Sequence, residues 1–418
     1  MCYAIPGKVV SVEGDIATVD YFGESRKAKL VSGSVVPGEY VYAQGGIIVG
    51  KIPEKDALPI LENWRKQFFE LKKVDERLSS AQGILSVKKA GTLTHDDMLD
   101  VLGMEGRGLE SLFSAANRIR KERLDNACCV HGIIEFSNHC SVNCLYCGIR
   151  CDNQDLRRYR MDEKEILDAV RHAVDDLGFK ALVLQSGEDP YYTDDMLVDI
   201  VKKIHERHGV LLFLSIGERS GECYGRLFEA GAYGALLRFE TSNEGIYSKM
   251  RPGRKLSSRL RLINDLKDMG FVLATGFLVG LPEQTLEDTI KDVLLTKSLK
   301  PDMYSFGPLI PHQATPLGSV KRPAMDDVLK VIALCRLLDP EAKILVTTAL
   351  ETLGPEARKK GLLAGANSLM INTTPARYRK SYDLYPGKTV IDEPIEAAIK
   401  KTVDLLHSLG RAPTDLGV

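Results

Sequence analysis

From residue 131 onward, short apolar runs typical of β-strands alternate with amphipathic helical segments. The runs lie at 132–136, 181–185, 211–216, 234–239, 271–277, 303–306, 344–347 and 368–372. Helical periodicity separates them, most clearly at 164–175, 194–207, 286–298 and 325–337. Eight strand–helix repeats predict an α/β fold in which a parallel sheet closes into a (β/α)8 TIM-type barrel, with an open doubly wound sheet as the competing arrangement. In such a barrel, chemistry takes place just beyond the carboxyl ends of the strands.

Four cysteines lie close together in the segment that follows the first predicted strand. They are Cys140, Cys144, Cys147 and Cys151, spaced C-x3-C-x2-C and then x3-C. Thiolates this close can hold a cubane four-iron–four-sulfur cluster from one loop. A structural zinc site usually takes two separated pairs of ligands, and no second pair follows downstream. We therefore predict three metal ligands, Cys140, Cys144 and Cys147, and a free thiol at Cys151.

The cysteine spacing, with the aromatic Tyr146 before the third cysteine, resembles the hallmark of radical S-adenosylmethionine (SAM) enzymes. Three wider segments, IIEFSNHCSVNCLYCGIRCDN, LVLQSGEDPYY and LYPGK, resemble the HydE group of FeFe-hydrogenase maturases. That group is related to biotin synthase and methylornithine synthase. The similarity runs from about residue 92 to the C-terminus.

The resemblance implies that the three cysteines are the catalytic cluster ligands and that SAM chelates the fourth iron through its amino and carboxylate groups. The reduced cluster then splits SAM into methionine and a 5′-deoxyadenosyl radical. Some HydE proteins carry a further cysteine cluster near the C-terminus. Only Cys335 follows Cys223 in this chain, so we predict one 4Fe–4S cluster.

Residues at the ends of neighbouring predicted strands are candidates for binding SAM. A glycine such as Gly187 permits close backbone approach, and a carboxylate such as Glu188 accepts hydrogen bonds from an ammonium. The resemblance implies that these two hold the methionyl amine and that Glu240 and Arg259 also contact the cofactor. The predicted SAM-binding set is Tyr146, Gly187, Glu188, Arg238, Glu240, Arg259, Gly280 and Tyr378. A salt bridge also explains Arg238, and core packing also explains the segment GFLVGLP that contains Gly280.

Hydroxyl, amide and guanidinium groups follow the seventh and eighth predicted strands. Such a cluster at one rim of the barrel suits a small anionic or cyanide-bearing ligand. The predicted substrate-binding residues are Thr347, Thr348, Asn372 and Arg377. Capping of the next helix is the alternative for the neighbouring Thr374, because Pro375 follows it.

The first part of the chain has a different pattern, with short strands and turn signals up to about residue 52. The sequences MCYAIPGKVVSVEGDIATVDY and PGEYVYAQGG resemble HypC, a family of small hydrogenase-maturation chaperones. In that family the cysteine after the initiator methionine and a later histidine carry an iron with carbonyl and cyanide ligands. Cys2 stands at the cysteine position, but Gln44 stands at the histidine position, and an amide is a poor ligand for soft iron. The domain therefore binds iron at Cys2 or has become a docking module.

These patterns predict three parts: a small β-barrel at 1–55, a helical linker at 56–90 and the radical SAM barrel with its helical lead-in at 91–418. The charge is nearly balanced, with 56 Lys and Arg against 57 Asp and Glu. Nothing in that balance favours nucleic acid or an anionic membrane as a partner. We find no long apolar span and no signal peptide. Nine cysteines is an odd count, and three or four of them are clustered at metal-type spacing, which favours a reducing compartment. The predicted location is the cytoplasm.

The leading hypothesis is a radical SAM enzyme that processes an iron–carbonyl–cyanide precursor in hydrogenase-type cofactor assembly. Expected partners are that organometallic substrate, a maturation protein bound through the N-terminal domain, and a reductant such as ferredoxin or flavodoxin. Two alternatives stay open. One is a methylornithine-synthase-like radical mutase that acts on a small amino acid, and the other is a non-catalytic carrier or scaffold for an iron complex.

Overall fold

The structure is a computed structural model that describes residues 5–79, 91–388 and 393–414. Cys2 and part of the predicted linker, 80–90, lie outside the described residues. In the first described range, β1 to β5 close into a small antiparallel-rich barrel in the order β1-β2-β3-β5-β4. The strands are β1 (Gly7–Glu13), β2 (Ile16–Tyr21), β3 (Glu24–Lys29), β4 (Tyr40–Gln44) and β5 (Ile47–Ile52). The small β-barrel predicted from the sequence is confirmed.

The hairpin between β4 and β5 turns on two glycines. Gly45 and Gly46 have φ values of 59° and 76°, as a two-residue type I′ turn requires. Gln44 and Ile47 are paired across this turn, so their side chains share one face. That face is turned toward the larger barrel, because Ile47 packs in a cluster with Leu211 and other residues of its interior.

Between the two barrels, residues 53–79 and 91–128 of the described chain contain three helices. They are α1 (Glu54–Ser79), α2 (His95–Gly103) and α3 (Arg107–Leu124). Helix α2 is capped at Thr94, since Thr94 and Asp97 form a reciprocal capping box. Near its end, α1 is tied to α3 by a buried ion pair between Asp75 and Arg120.

Residues 129–372 contain eight parallel strands that close into a barrel in the order β6-β7-β8-β9-β10-β12-β14-β15. A separate two-stranded sheet, β11 with β13, extends it. The strands are β6 (Cys129–Ser137), β7 (Ala181–Ser186), β8 (Leu211–Ser215), β9 (Gly234–Leu236), β10 (Val272–Thr275), β11 (Leu278–Val279), β12 (Met303–Tyr304), β13 (Gly307–Pro308), β14 (Lys343–Val346) and β15 (Ser368–Asn372). The predicted (β/α)8 barrel is confirmed, and the open sheet is excluded.

Helices cover the outside of this barrel. They are α4 (Glu163–Arg171), which continues into a π-helical turn (His172–Asp176), α5 (Asp194–Arg207), α6 (Gly221–Glu229), α7 (Glu244–Met250), α8 (Leu256–Asp268), α9 (Leu286–Ser298), α10 (Met325–Leu338), α11 (Thr348–Glu351), α12 (Ala357–Leu363), α13 (Ala376–Arg379) and α14 (Ile395–Ser408). No helix within the described ranges is long and apolar enough to cross a lipid bilayer.

The side chains of each strand alternate between the barrel interior and the helices. In β6, Ile134 and Phe136 pack against the helical layer, whereas Ile133 packs inside the barrel. The small barrel closes the amino-terminal mouth of this interior. A Cβ atom on Gly45 would lie 2.8 Å from the side chain of Leu211, the first residue of β8. The carboxyl ends of the strands, at the opposite mouth, carry the site.

Candidate active site

The cysteine loop lies between β6 and α4. Cys140, Cys144 and Cys147 are partly buried, whereas Cys151 is exposed. Burial raises the pKa of each of the first three thiols, and at Cys147 the neighbouring Cys144 and Cys140 raise the pKa further. Burial therefore disfavours the ionised form of all three thiols. A metal cluster supplies the positive charge that keeps such thiolates ionised.

A cavity at the carboxyl end of the barrel is lined by three of the four cysteines of the loop. Cys140, Cys144 and Cys147 line a cavity of about 260 Å³ at the carboxyl end of the barrel, and Cys151 is not among its lining residues. Within the described part of the chain, no three His, Cys, Asp or Glu side chains have the close spacing of a site for one metal ion. A cubane cluster has no such requirement, because its thiolates bind different irons. The donor set fits three ligands of a 4Fe–4S cluster.

The loop after β7 packs directly on the cysteine loop. The backbone nitrogen of Ser141 donates to the carbonyl oxygen of Glu188 at 2.9 Å. A Cβ atom at Gly187 would lie 2.2 Å from the carbonyl oxygen of His139. This distance is too short for any residue other than glycine. This contact brings the carboxylate of Glu188 into the same cavity as the three thiols.

Most of the predicted site residues meet in this cavity. Those that line it are Cys140, Cys144, Tyr146, Cys147, Gly187, Glu188, Arg238, Glu240, Arg259, Thr347, Thr348 and Asn372. They come from the ends of different strands and from helix α8, which explains why they are far apart in the sequence.

Beside the cysteines, a group of acidic and basic side chains forms a charged wall. Glu188 accepts hydrogen bonds from Arg251 at 3.2 Å and from Arg254 at 2.7 Å. Glu218 lies within ion-pair distance of the same two arginines and of Arg259. Burial raises the pKa of Glu188, while the charges of Arg251 and Arg254 oppose that shift. Sequence reasoning missed Glu218, Arg251 and Arg254, whose loops the fold brings to this wall.

Several polar atoms in this wall have no hydrogen-bond partner. They include Nε and Nη1 of Arg259, which is 5% exposed, and Oε2 of Glu240, which is 7% exposed. Glu240 also has a positive φ of 69°, which is uncommon for a residue with a side chain. Unpartnered buried donors and acceptors fit a ligand that carries both a carboxylate and an ammonium, as the methionyl end of SAM does.

The opposite wall holds a second charged pair that sequence reasoning did not identify. Glu135 is 1% exposed and is paired with Lys388, while Asn372 donates to its other oxygen at 3.1 Å. Lys388 also lies over the ring of Tyr382. Thr348 contributes a hydroxyl that is 2.6 Å from the hydroxyl of Tyr385. The signal for Glu135 was a carboxylate inside an otherwise apolar strand, IIEFS.

Three predicted site residues lie elsewhere. Arg377 and Tyr378 belong to α13, which turns both side chains outward to Glu165 at 2.6 Å. Gly280 is also outside the cavity wall; its nitrogen donates to Gln284, and its φ of 86° shows that the position serves a loop turn. These residues follow strand ends in the sequence, but that position alone does not determine whether a side chain faces the cavity. Cys2 lies outside the described residues.

Gln44, at the position of the chaperone histidine, is 2% exposed. Its amide nitrogen has no hydrogen-bond partner. Since it shares a face with Ile47, it is buried where the small barrel meets the large one. An external protein therefore has no direct access to this side chain in the docked arrangement.

Both the small N-terminal barrel and the large barrel match known protein families. Residues 134–295 match the Radical SAM superfamily, residues 305–408 match the Biotin and Thiamin Synthesis associated domain, and residues 1–64 match the HupF/HypC family. The [FeFe] hydrogenase maturase subunit HydE of Thermotoga maritima is 43% identical, over 79% of this chain and 94% of the relative.

Two further relatives share the barrel. The 3-methylornithine synthase of Methanosarcina acetivorans is 31% identical, over 66% of this chain and 78% of the relative. A crystal structure of methylornithine synthase superposes with a TM-score of 0.70 and 26% identity, covering 82% of this chain and 98% of that one.

Proposed function

Because this chain belongs to the radical SAM enzymes of the HydE family and carries a HypC-like N-terminal domain, we propose that it cleaves SAM reductively to process an iron–carbonyl–cyanide precursor. That precursor would serve the assembly of a hydrogenase-type metal cofactor. Membership of the family implies a 4Fe–4S cluster and SAM. The specific reaction and its substrate are what we propose in addition.

Together, the cluster and SAM supply one-electron cleavage of a carbon–sulfur bond and a carbon-centred radical. Cys140, Cys144 and Cys147 would each hold one iron and leave the fourth open to SAM. Arg259 would receive the carboxylate of SAM, and Glu240 would accept from its ammonium.

The observation that carries the proposal is the common location of three thiols and two buried charged groups whose hydrogen-bonding capacity is not filled. Arg259 and Glu240 each have a polar atom without a hydrogen-bond partner, and both line the cavity that contains the cysteines. Although Glu218 lies 3.3 Å from Arg259 and Arg238 lies 3.5 Å from Glu240, a buried polar atom without a hydrogen bond is costly unless a ligand completes it. A ligand with both charges at one end meets this requirement, and the cavity extends beyond it to Thr348 and Asn372, where the substrate would lie.

Anaerobic reconstitution tests the proposal. The wild-type protein, loaded with iron and sulfide and reduced with dithionite, is expected to release 5′-deoxyadenosine from SAM, and the Cys147→Ser variant is expected to release none. A cysteine-bound iron dicarbonyl cyanide complex should increase the release. If the reduced, loaded protein forms no 5′-deoxyadenosine with or without the complex, the hypothesis of a radical SAM enzyme is excluded. The hypothesis of a non-catalytic carrier or scaffold for an iron complex would then remain.

A second candidate reaction is a radical rearrangement of a small amino acid. The likeness to methylornithine synthase, which covers 98% of that structure, supports it. The same assay separates the two, because free amino acids would then stimulate SAM cleavage and the iron complex would not.

We propose that the N-terminal domain is a docking module for a hydrogenase-maturation protein and that it does not carry iron at Cys2. The burial of Gln44 supports this choice, and Val10 and Val36 expose apolar surface on the same small barrel. A Cys2→Ala variant should then still support maturation of the client metal site in a reconstituted assay. Loss of maturation in that variant would favour the iron-carrier role. We expect ferredoxin or flavodoxin to supply electrons, in a reducing cytoplasm.

A further inference from the structure

Arg158 lies in the last part of the cysteine loop, after the four cysteines, and its side chain contacts earlier residues of the same loop. Its guanidinium donates four hydrogen bonds, all to backbone carbonyl oxygens of that loop. Nη1 donates to Asn138 at 2.5 Å and to Ile149 at 2.9 Å, and Nη2 donates to Arg150 at 2.6 Å and to Asn153 at 3.1 Å. One acceptor precedes the first cluster cysteine and three follow the third. A single side chain therefore holds both ends of the loop together.

The loop depends on such a clamp because its backbone has no regular strand or helix between residues 138 and 158. Carbonyl oxygens that are removed from water need donors. Arginine presents several donors in one rigid fork, whereas lysine is a compact charge on a flexible stem. No lysine could serve four acceptors at the two ends of the loop with the same geometry.

The guanidinium also lies beside the cluster cysteines in the loop, because it hydrogen-bonds to Asn138, two residues before Cys140, and to Ile149, two residues after Cys147. Burial lowers the pKa of Arg158, and the charges of Cys140, Cys151 and Cys147 oppose that shift. Two of these three cysteines are predicted cluster ligands. A fixed positive charge beside the thiolates of an iron–sulfur cluster stabilises the more negative, reduced form.

We propose that Arg158 is a positioning residue for the cluster: it closes the cysteine loop and raises the reduction potential of the cluster that the loop holds. This inference rests on the proposed function, because it assumes that the loop binds a 4Fe–4S cluster. Its first half, closure of the loop, concerns the protein without iron as well. A residue with a purely structural role would affect loop order but not the potential.

Three variants separate these effects. Arg158→Gln removes the charge and most of the donors, and Arg158→Lys keeps the charge but not the fork. Arg157→Gln is the matched control, because Arg157 is the neighbouring arginine and its side chain is exposed. Near-ultraviolet circular dichroism and thermal unfolding establish that each variant is folded.

The first measurement uses the protein without iron and follows alkylation of Cys140, Cys144 and Cys147 by peptide mass spectrometry. Both Arg158 variants should be alkylated roughly tenfold faster than wild type, the factor expected when charge-assisted hydrogen bonds to the loop are lost. Arg157→Gln should behave as wild type. Equal alkylation rates in all four proteins would overturn loop closure by Arg158.

The second measurement uses the reconstituted protein and determines iron per chain and the midpoint potential by EPR-monitored titration. Arg158→Gln should hold less iron and have a more negative potential. Arg158→Lys should also hold less iron, but its potential should stay closer to that of wild type. A potential that is the same in wild type and Arg158→Gln would overturn the electrostatic half. If wild type itself binds no four-iron cluster, the proposed function and the electrostatic half both fail, while the alkylation rates still decide loop closure.

Discussion

Gly187 lies against Cys140, and a Cβ atom at position 187 would be 2.7 Å from the Cβ atom of that cysteine. The two residues belong to the loops after β7 and β6, the neighbouring strands from which the cluster ligands and Glu188 project. Because backbone and Cβ atoms cannot approach so closely, a side chain at 187 must displace the cysteine loop.

We therefore expect Gly187→Ala to lose most of its iron on anaerobic reconstitution, measured as iron per chain and as absorbance near the thiolate-to-iron band. SAM cleavage should fall in proportion to the iron. Gly225→Ala is the matched control, because Gly225 lies in helix α6 and a Cβ atom there meets nothing within 4 Å. The control should keep its iron, and full iron in Gly187→Ala would contradict the prediction.

Cys151 should be dispensable for the cluster. It is exposed and does not line the cavity that contains the other three cysteines of the loop. We expect Cys151→Ser to bind as much iron as wild type and to show the same EPR signal, whereas Cys147→Ser should not assemble the cluster. A change in cluster type in Cys151→Ser would show that the fourth thiol is a ligand and that the cluster has no open iron.

Arg259 should control the affinity for SAM and not the content of iron. Two of its guanidinium nitrogens are buried without a hydrogen-bond partner, although Glu218 is 3.3 Å from one of them. Arg259→Gln is expected to raise the dissociation constant for SAM roughly 10- to 100-fold, as loss of a charge-assisted hydrogen bond to a carboxylate would. Isothermal titration on the loaded protein measures it. Arg261→Gln, on the exposed face of the same helix, should bind SAM as wild type does.

The sequence predicted the part of this molecule that depends on local pattern. Strand–helix alternation repeats along the chain, and three ligands on one loop are visible as spacing. Arg251 and Glu218 could not be found in that way, because they form their ion pair beside the cavity only when separate loops fold together. Arg377 shows the converse, since a short helix after the last strand of the barrel turns its side chain toward Glu165.

A pH-dependent contribution to stability should come from Asp292 on α9. Burial raises the pKa of this carboxyl from 3.8 to about 6, although Ser242 and Gln284 donate hydrogen bonds to it. The folded state thus binds the proton more tightly than the unfolded state does. The resulting stabilisation is complete below about pH 4 and is lost as the pH rises through about 6.

Asp292→Asn removes this titration. Relative to wild type, the variant should gain about 1.4 kcal/mol in free energy of unfolding between pH 5 and pH 7.5, measured by urea denaturation. Asp288→Asn on the same helix is a contrast, because hydrogen bonds from Asn243 and Thr285 outweigh burial there and lower the pKa of Asp288. That variant should show no gain over the same interval. A difference between Asp292→Asn and wild type that does not vary with pH would contradict the assignment.

The joint between the linker helix and the large barrel should depend on one buried carboxylate. Asp75 is 1% exposed and receives two hydrogen bonds from Arg120, at 2.7 and 2.6 Å. Nε of Arg411 lies 3.4 Å from Oδ1 of the same carboxylate. Removing the carboxylate leaves both guanidinium groups buried without their counter-ion. Such a loss typically costs about 3–5 kcal/mol.

Asp75→Ala should therefore lower the free energy of unfolding by about that amount and speed proteolytic release of the small barrel. Glu70→Ala is the control on the same helix, because its ion pair with Lys66 is solvent-exposed and 4.0 Å long and should contribute less than about 0.5 kcal/mol. If α1 held the small barrel in place mainly through its apolar side chains, protease would release the small barrel from both variants at the same rate. Faster release of Asp75→Ala alone would show that the ion pair fixes the small barrel at the amino-terminal mouth of the large barrel.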